Sequence, residues 1–229
     1  MGPPASLSPL PRSFYDRGVL LVARDLLGCY AVGGGVVVRL TEVEAYGGVD
    51  DPASHAFRAA TPRNSVMFGP PGHLYVYFTY GMHHCANVVT GSQGAPGAVL
   101  LRAGEVVAGE EIVRARRPTG HDVDRARGPA RLAKAFGLDL SHNGADVTQR
   151  DAPLWLAEGD KVPEDLVNVG PRVGIRAASD YPWRFSIAGE ASVSQFRLGT
   201  LRKGRIADSG QRATRAAGHV DAPDDRDPR

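Results

Sequence analysis

Apolar residues recur along the chain at two spacings, and these spacings predict where its helices and strands lie. Near the N-terminus they stand three or four residues apart, which predicts an amphipathic helix that begins at Ser13 and ends at Gly28. Two later stretches alternate apolar and polar residues around a glycine turn, so β-hairpins are expected at 30–46 and 73–91. Further helices are predicted at 106–118 and 128–138, and further strands at 97–107, 153–159, 168–178 and 184–189.

This order of elements predicts a single α+β domain, in which a curved, mainly antiparallel β-sheet forms a partial barrel flanked by helices. A chain of 229 residues is long enough for one such domain with a substantial core. We place the domain at 13–195. The Pro- and Ser-rich segment 1–12 and the charged segment 196–229, which is poor in apolar residues, are expected to be disordered.

Composition and charge narrow the class of protein. The formal net charge is +2, and of the 27 basic residues only Lys134, Lys161 and Lys203 are lysines. Guanidinium groups form forked hydrogen bonds with phosphate, so this composition suits a polyanionic partner without requiring one. Cys29 and Cys85 lie in apolar surroundings and are expected to be reduced core thiols. With no signal peptide or spanning segment visible, we expect a cytoplasmic protein.

The strand that ends the first hairpin carries Glu42, Glu44 and Tyr46 at alternate positions, and His55 follows nine residues later. Alternate strand positions project to the same face, so these groups would crowd together. Crowding and partial burial raise the pKa of a carboxyl group toward neutrality, which suits a general base. The spacing alone favours a simpler interpretation, a solvated polar strand face.

The second hairpin concentrates aromatic residues, with Tyr75, Tyr77 and Tyr80 followed by Met82 in a chain of only seven tyrosines. Tyr75 and Tyr77 share one strand face, and Tyr80 is expected at the hairpin tip. A tip tyrosine can wedge between nucleic-acid bases, and a strand tyrosine can serve as a stacking platform. The pattern alone favours ordinary core packing.

A long series of ordered motifs resembles the alkyladenine (3-methyladenine) DNA glycosylase family, as found in bacteria. The motifs are TEVEAYGGVDDPASHAFRAATPRNSVMFGPPGHLYVYFTYGMHHCANVV, GAVLLRA, RGPARLAKAFGL, VGPRVGI and GEASVS. They cover the chain from about residue 13 to about residue 195. The resemblance reverses both of the simpler interpretations above.

The resemblance first implies a catalytic centre. Glu44 would be the general base that deprotonates a water molecule, and Arg102 would help to hold that water and the nearby phosphate. A main-chain group of the GPRVGI segment would contact the same water, and Val173 and Ile175 are both candidates for it.

The resemblance also implies a pocket for an extruded base. Tyr46 would stack on one face of the base, and His55 and Tyr77 would face it from the other side. Asn87 would discriminate against the amino group of guanine.

Contacts with the duplex are implied as well. Tyr80 would intercalate through the minor groove beside Met82. Apart from the resemblance, phosphate contacts are expected from arginines on the predicted loops, and Arg63, Arg102 and Arg172 are the candidates. His83 and His84 stand where relatives often carry aromatic residues, so the chain departs from the family pattern just after the hairpin tip.

The function implied is that of a monofunctional DNA glycosylase of base excision repair, a monomer associated with the nucleoid. It would flip alkylated or deaminated purines (3-methyladenine, 7-methylguanine, hypoxanthine) out of double-stranded DNA and hydrolyse the N-glycosidic bond, leaving an abasic site. A cationic alkylpurine is attracted by aromatic faces and is a good leaving group. Strand nicking would need an amine, yet no lysine precedes Lys134.

Other classes of function fit less well. No Cys-x-x-Cys or His-Glu-x-x-His spacing occurs, and His83 and His84 would point to opposite strand faces, so neither a metal nor another cofactor is expected. The same absence disfavours a zinc-dependent nucleobase deaminase. The alternative kept open is a non-catalytic damaged-DNA-binding protein of the same fold, in which the carboxylate of Glu44 would only weaken binding to phosphate.

Overall fold

The computed structural model of the protein describes residues 6–118 and 120–199, and eight strands within them form one antiparallel sheet that does not close into a barrel. The strands are β1 (Tyr30–Gly33), β2 (Val36–Tyr46), β3 (Leu74–Thr79), β4 (His83–Thr90), β5 (Gly97–Ala108), β6 (Trp155–Ala157), β7 (Val167–Gly170) and β8 (Arg184–Ile187). The α-helices are α1 (Arg12–Tyr15), α2 (Val19–Asp25), α3 (Glu110–Arg116) and α4 (Pro129–Phe136). Short 3-10 helices span Gly48–Asp50, Ser65–Phe68, Asp122–Asp124, Leu140–His142 and Glu164–Leu166. The predicted α+β class with a mainly antiparallel sheet is confirmed.

The sheet is organised around β2. The first part of β2 pairs with β1 and its residues 42–44 pair with β8, while β5 runs along its other edge. The strand order is β3-β4-β5-β2-β1-β6, and β7 pairs with β8. The register between β2 and β5 shifts on both sides of Glu42, so that Thr41 and Arg102 have no direct partner. Such bulges re-aim side chains, and this one accompanies an Arg102 side chain that reaches both glutamates of β2.

The core lies between the sheet and two helices. Helix α2 packs against β2 and β5, and α4 packs against β4 and β5. Leu26, Leu40, Leu101 and Leu132 are fully buried between them, and each contributes roughly 1.5–3 kcal/mol through its burial. Helix α4 begins with a proline and is closed by Gly137 in the left-handed conformation, as the sequence predicts.

Three predicted elements differ from those observed. The N-terminal helix is divided, because Gly18 adopts an extended conformation before α2, and glycine costs about 1 kcal/mol inside a helix. Helix α3 begins only after Gly109, since the preceding residues pair with β2. The strand expected at 168–178 ends at Gly170, because Pro171 has no N–H with which to continue the ladder.

The two ends of the described chain contact the domain. Leu10 is buried and donates its backbone N–H to the carbonyl of Leu156 at 2.7 Å, which places this part of the predicted disordered segment 1–12 with the domain. The carbonyl of Arg197 accepts a hydrogen bond from Gly174 at 2.8 Å. Most of the predicted disordered tail, residues 200–229, lies outside the described residues. No helix among the described residues is long and apolar enough to span a membrane.

Candidate active site

A cavity of about 250 Å³ opens where β3, β4 and β5 meet the loops that follow β2 and β7. This volume suits a ligand smaller than a typical drug molecule. Most of the lining side chains are aromatic or apolar, and a few polar groups stand among them. The lining includes Tyr46, His55, Met67, Tyr75, Tyr77, Tyr80, Cys85, Asn87, Leu100, Arg102, Val173 and Ile175.

Glu44 lies directly behind this lining and is fully buried. Its Oε1 accepts the backbone N–H of Val173 at 2.6 Å, and its Oε2 accepts the hydroxyl of Tyr46 at 2.9 Å. The guanidinium of Arg102 lies 3.3 Å from Oε2. These donors fix the orientation of the carboxylate, and Oε1, with one partner among the described residues, keeps a lone pair that can accept a further hydrogen bond.

A second buried carboxylate, Glu42, holds the arginines around Glu44. Its Oε1 accepts Nε of Arg102 at 2.8 Å and Nε of Arg184 at 2.7 Å, and its Oε2 accepts the backbone N–H of Ser194 at 2.7 Å. Burial alone would raise the pKa of Glu42, but the two arginines outweigh burial and lower it. Burial likewise opposes the charge of Arg102, yet Glu44 and Glu42 raise the pKa of its guanidinium. Both groups therefore remain charged.

The rings of Tyr46, His55 and Tyr77 line the cavity. Burial, followed by the charge of Glu44, raises the pKa of the Tyr46 hydroxyl, so that it stays a donor. The rings of His55 and Tyr77 meet edge to face at 4.5 Å. The hydroxyl of Tyr75 lies 2.9 Å from Nδ1 of His55. Burial and the positive charge of Arg63 lower the pKa of His55, which favours the neutral imidazole.

Asn87 is the buried amide of the cavity. Its Nδ2 donates to the carbonyl of Tyr75 at 3.0 Å, which fixes the side chain across the β3–β4 pair. The Oδ1 atom of the amide remains available as an acceptor at the cavity lining.

The hairpin between β3 and β4 ends beside the cavity in a projecting tip. Tyr80 and Gly81 both have positive φ, 52° and 69°, which is the geometry of a type I′ turn. Tyr80 is 76% exposed and Met82 is 69% exposed, so a large aromatic and a large apolar side chain point away from the core. Arg63 lies beside the tip, exposed, with its guanidinium 5.8 Å from the ring of Tyr77.

Comparison with known proteins bears on this arrangement. The sequence profile of the family described as Methylpurine-DNA glycosylase (MPG) matches residues 13–191. The chain belongs to this family. It is 50% identical over 205 residues to a protein of Streptomyces avermitilis, and the aligned region covers 86% of this chain and 96% of the relative. It is also 50% identical over 203 residues to a Frankia casuarinae protein (85% and 96%) and 51% identical over 181 residues to one from Nocardia farcinica (76% and 85%). All three are provisionally named 3-methyladenine DNA glycosylase.

The resemblance stated from the sequence is thus confirmed at the level of the methylpurine-DNA glycosylase family. The structure brings most of the candidate residues of this family member to one cavity. Of the two main-chain candidates, Val173 donates to Glu44 itself, and Ile175 contributes to the lining.

The structure corrects the expectation that Arg172 contacts DNA phosphate. It is 1% exposed, forms two hydrogen bonds with Asp51, and donates to the carbonyl of Ala45 at 3.0 Å. A guanidinium that is enclosed and paired in this way has no access to a phosphate group. The position of this arginine between Pro171 and Val173 does not reveal the direction of its side chain, and only the fold shows that it points inward.

Sequence reasoning assigned no role to several residues that support the methylpurine-DNA glycosylase cavity. Asn64 donates to the carbonyls of His55 at 2.7 Å and Ala59 at 3.1 Å and so shapes the loop that carries the histidine. An asparagine in a Pro-containing loop is a usual signal for such a turn. Trp183 and Asp51 lie far apart in the sequence, and no local pattern indicates that both pack around Arg172.

His83 is exposed at the start of β4, and the ring of His84 lies 5.1 Å from that of Phe78. Among the described residues, no three His, Cys, Asp or Glu side chains lie close enough together to hold a metal ion. Cys29 and Cys85 are buried and form no disulfide.

Proposed function

We propose that this protein is a monofunctional DNA glycosylase that hydrolyses the N-glycosidic bond of damaged purines flipped out of double-stranded DNA. The observation that carries the proposal is the carboxylate of Glu44, buried behind an aromatic cavity and oriented by Val173, Tyr46 and Arg102. A protein that only bound damaged DNA would have no use for an anion in this position, since it repels phosphate. Membership of the methylpurine-DNA glycosylase family supports the same reaction class.

The extruded base would lie between Tyr46 and the pair His55 and Tyr77. Extrusion costs a few kcal/mol of stacking and pairing, least for a damaged or mispaired base. A purine alkylated at N3 or N7 carries a positive charge, which aromatic faces attract. The fixed amide of Asn87 would meet the edge of the base and disfavour the amino group of guanine.

Glu44 would take a proton from a water molecule while the water oxygen forms a bond to C1′ of the sugar. The bond from C1′ to the purine nitrogen breaks, and its electron pair neutralises the positive charge of the leaving base. Arg102, which lines the cavity beside Glu44, would keep the water in place. A neutral lesion such as hypoxanthine lacks this charge and is therefore a poorer leaving group.

Tyr80 would occupy the space that the extruded base leaves, because it is exposed at the end of the tip. Met82 lies next to it, and Arg63 would contact phosphate. The protein would act as a monomer, and its substrate would be the DNA of the nucleoid in the cytoplasm.

The experiment is release of free base from duplexes that carry one 3-methyladenine, 7-methylguanine or hypoxanthine. Glu44→Gln should bind the damaged duplex yet release base at least about 100-fold more slowly, since a general base contributes about 10²–10⁴-fold. Glu105→Gln, at an exposed glutamate of β5, is the matched control and should act as the wild type. Binding without release by the wild type would instead establish the non-catalytic alternative.

A separate measurement tests the monofunctional character. Borohydride reduces a Schiff base between an enzyme amine and the abasic sugar, so it traps an enzyme that nicks the strand. We expect no trapped product. A covalent adduct trapped by borohydride, on Lys134 or on any other amine, would contradict this part of the proposal.

A further inference from the structure

Asp51 and Arg172 form a buried ion pair behind the proposed base pocket. Both side chains are fully buried, and the two hydrogen bonds between them measure 2.5 and 2.9 Å. Asp51 also accepts the backbone N–H groups of Gly47 and Ala53, each at 3.0 Å. Asp51 lies on the loop after β2 and Arg172 lies on the loop after β7, so the ion pair joins these two loops.

The guanidinium of Arg172 lies against the ring of Tyr46. Its central carbon is 4.7 Å from the centroid of that ring and 5.1 Å from the ring of Trp183. Tyr46 lines the cavity, whereas Arg172 does not, so the cation lies on the side of the ring that faces away from the cavity. Tyr46 thus separates a permanent positive charge from the position proposed for the base.

We propose that Asp51 determines the selectivity of the pocket for positively charged bases by neutralising Arg172 behind Tyr46. The inference rests on the proposed function, because it places a purine on the open face of Tyr46. An unneutralised guanidinium there would repel a cationic purine and leave a neutral purine almost unaffected. Asp51 removes this repulsion while Arg172 still anchors the carbonyl of Ala45 and precedes the Val173 N–H that orients Glu44.

The size of the effect follows from Coulomb's law. With an aromatic stacking separation of about 4.5 Å added to the distance across Tyr46, the base would lie about 9 Å from the guanidinium. At an effective dielectric constant of about 20, two unit charges at this distance change a binding constant roughly 10- to 30-fold. A bidentate carboxylate cancels most of this repulsion, since the pair as a whole is neutral.

The test compares the dissociation constants of duplexes that carry 7-methylguanine, which is cationic, or hypoxanthine, which is neutral. A fluorine at C2′ of the damaged nucleoside keeps the bond intact during the measurement, because it destabilises an oxocarbenium-like transition state. Asp51→Asn should reduce the preference for 7-methylguanine about 10- to 30-fold. The double variant Asp51→Asn with Arg172→Met, which contains neither charge, should return to within about threefold of the wild type.

The neighbouring Asp50→Asn is the matched control, since Asp50 is exposed, and should leave the preference unchanged. If the pair had a purely structural role, the double variant would lose at least as much of the preference for 7-methylguanine as the single variant. That result would overturn the proposal. If Asp51→Asn does not fold, the Arg172→Met variant provides the test. This variant lacks the cation, so a tenfold fall in its preference for 7-methylguanine over hypoxanthine would also overturn the proposal. Wild-type base release from unfluorinated duplexes tests the proposed function separately: release together with an unchanged Asp51→Asn preference refutes the selectivity role alone.

Discussion

Replacement of Glu42 by glutamine removes the charge that holds two buried arginines beside Glu44. The wild-type carboxylate is fully buried and accepts hydrogen bonds from Arg102, Arg184 and both the N–H and the hydroxyl of Ser194. Glutamine has nearly the same shape, but it carries no charge and presents a single acceptor oxygen. The substitution therefore tests the ion pairs themselves and hardly disturbs the packing.

The expected loss of stability can be worked out from this geometry. Removal of one partner from a buried ion pair costs about 3–5 kcal/mol, and the amide oxygen retains part of the hydrogen bonding, so a loss of about 3 kcal/mol is expected. A domain of this size loses roughly 2–4 °C in Tm for each kcal/mol, so the Tm should fall by about 6–12 °C. Because Arg102 also contacts Glu44, its displacement should slow base release about 10- to 100-fold.

The stability difference should depend on pH. The arginines lower the pKa of Glu42 below its ordinary value of 4.5. In the unfolded chain the carboxyl group binds a proton below that ordinary value, whereas in the folded protein it stays ionised to a lower pH, so stability rises with pH between the two values. The contribution is therefore complete above the unfolded pKa and is lost as pH falls through the folded pKa. The wild type and Glu42→Gln should converge in stability under acidic conditions.

Urea unfolding followed by circular dichroism, repeated from neutral to acidic pH, measures this difference. Glu105→Gln is the control, because Glu105 also pairs with an arginine, Arg39, but is 51% exposed. Exposed pairs contribute about 0–1 kcal/mol, so the control should unfold almost as the wild type does. A Glu42→Gln protein as stable as the control, or a difference that stays constant at low pH, would refute the electrostatic explanation.

Three further substitutions probe the tip and the core. Tyr80→Ala should leave Tm within about 2 °C of the wild type, because this residue is 76% exposed. It should weaken binding to damaged duplex about tenfold in fluorescence anisotropy, and unchanged affinity would exclude the wedge role. Tyr15→Phe should raise the free energy of unfolding in urea by about 1 kcal/mol, since the buried hydroxyl has no hydrogen-bond partner among the described residues; destabilisation would reveal a partner. Leu132→Ala on α4 should lower that free energy by about 2–5 kcal/mol, and a smaller loss would mean that the core collapses around the site.

Much of the fold could be predicted from local patterns. Both β-hairpins, the capped helix α4 and the short strands β6 and β8 lie close to where alternation and turn residues place them. The division of the first helix and the early end of β7 were missed, although Gly18 and Pro171 are visible signals. What no local pattern contains is the pairing of β2 with β5 and β8, because that depends on contacts between distant segments.

In the candidate site, too, contacts within one strand could be predicted and contacts between distant segments could not. Glu44 and Tyr46 are adjacent alternate positions on one strand, so their proximity follows from strand geometry, and the resemblance added their roles. The two partners that complete the orientation of Glu44 come from elsewhere, Arg102 from β5 and Val173 from the loop after β7. Spacing along one strand can therefore suggest a general base, but it cannot show which donors hold it.

Arg172 shows why residue type is a poor guide to the role of an arginine. An arginine beside a catalytic motif is a reasonable phosphate ligand, and the guanidinium has the right shape for one. The same shape also fits a carboxylate in the interior, and a buried arginine requires such a partner because an unpaired buried charge costs several kcal/mol. Asp51, 121 residues away in the chain, supplies that partner. The choice between DNA contact and internal pairing thus depends on whether the fold brings a carboxylate within reach.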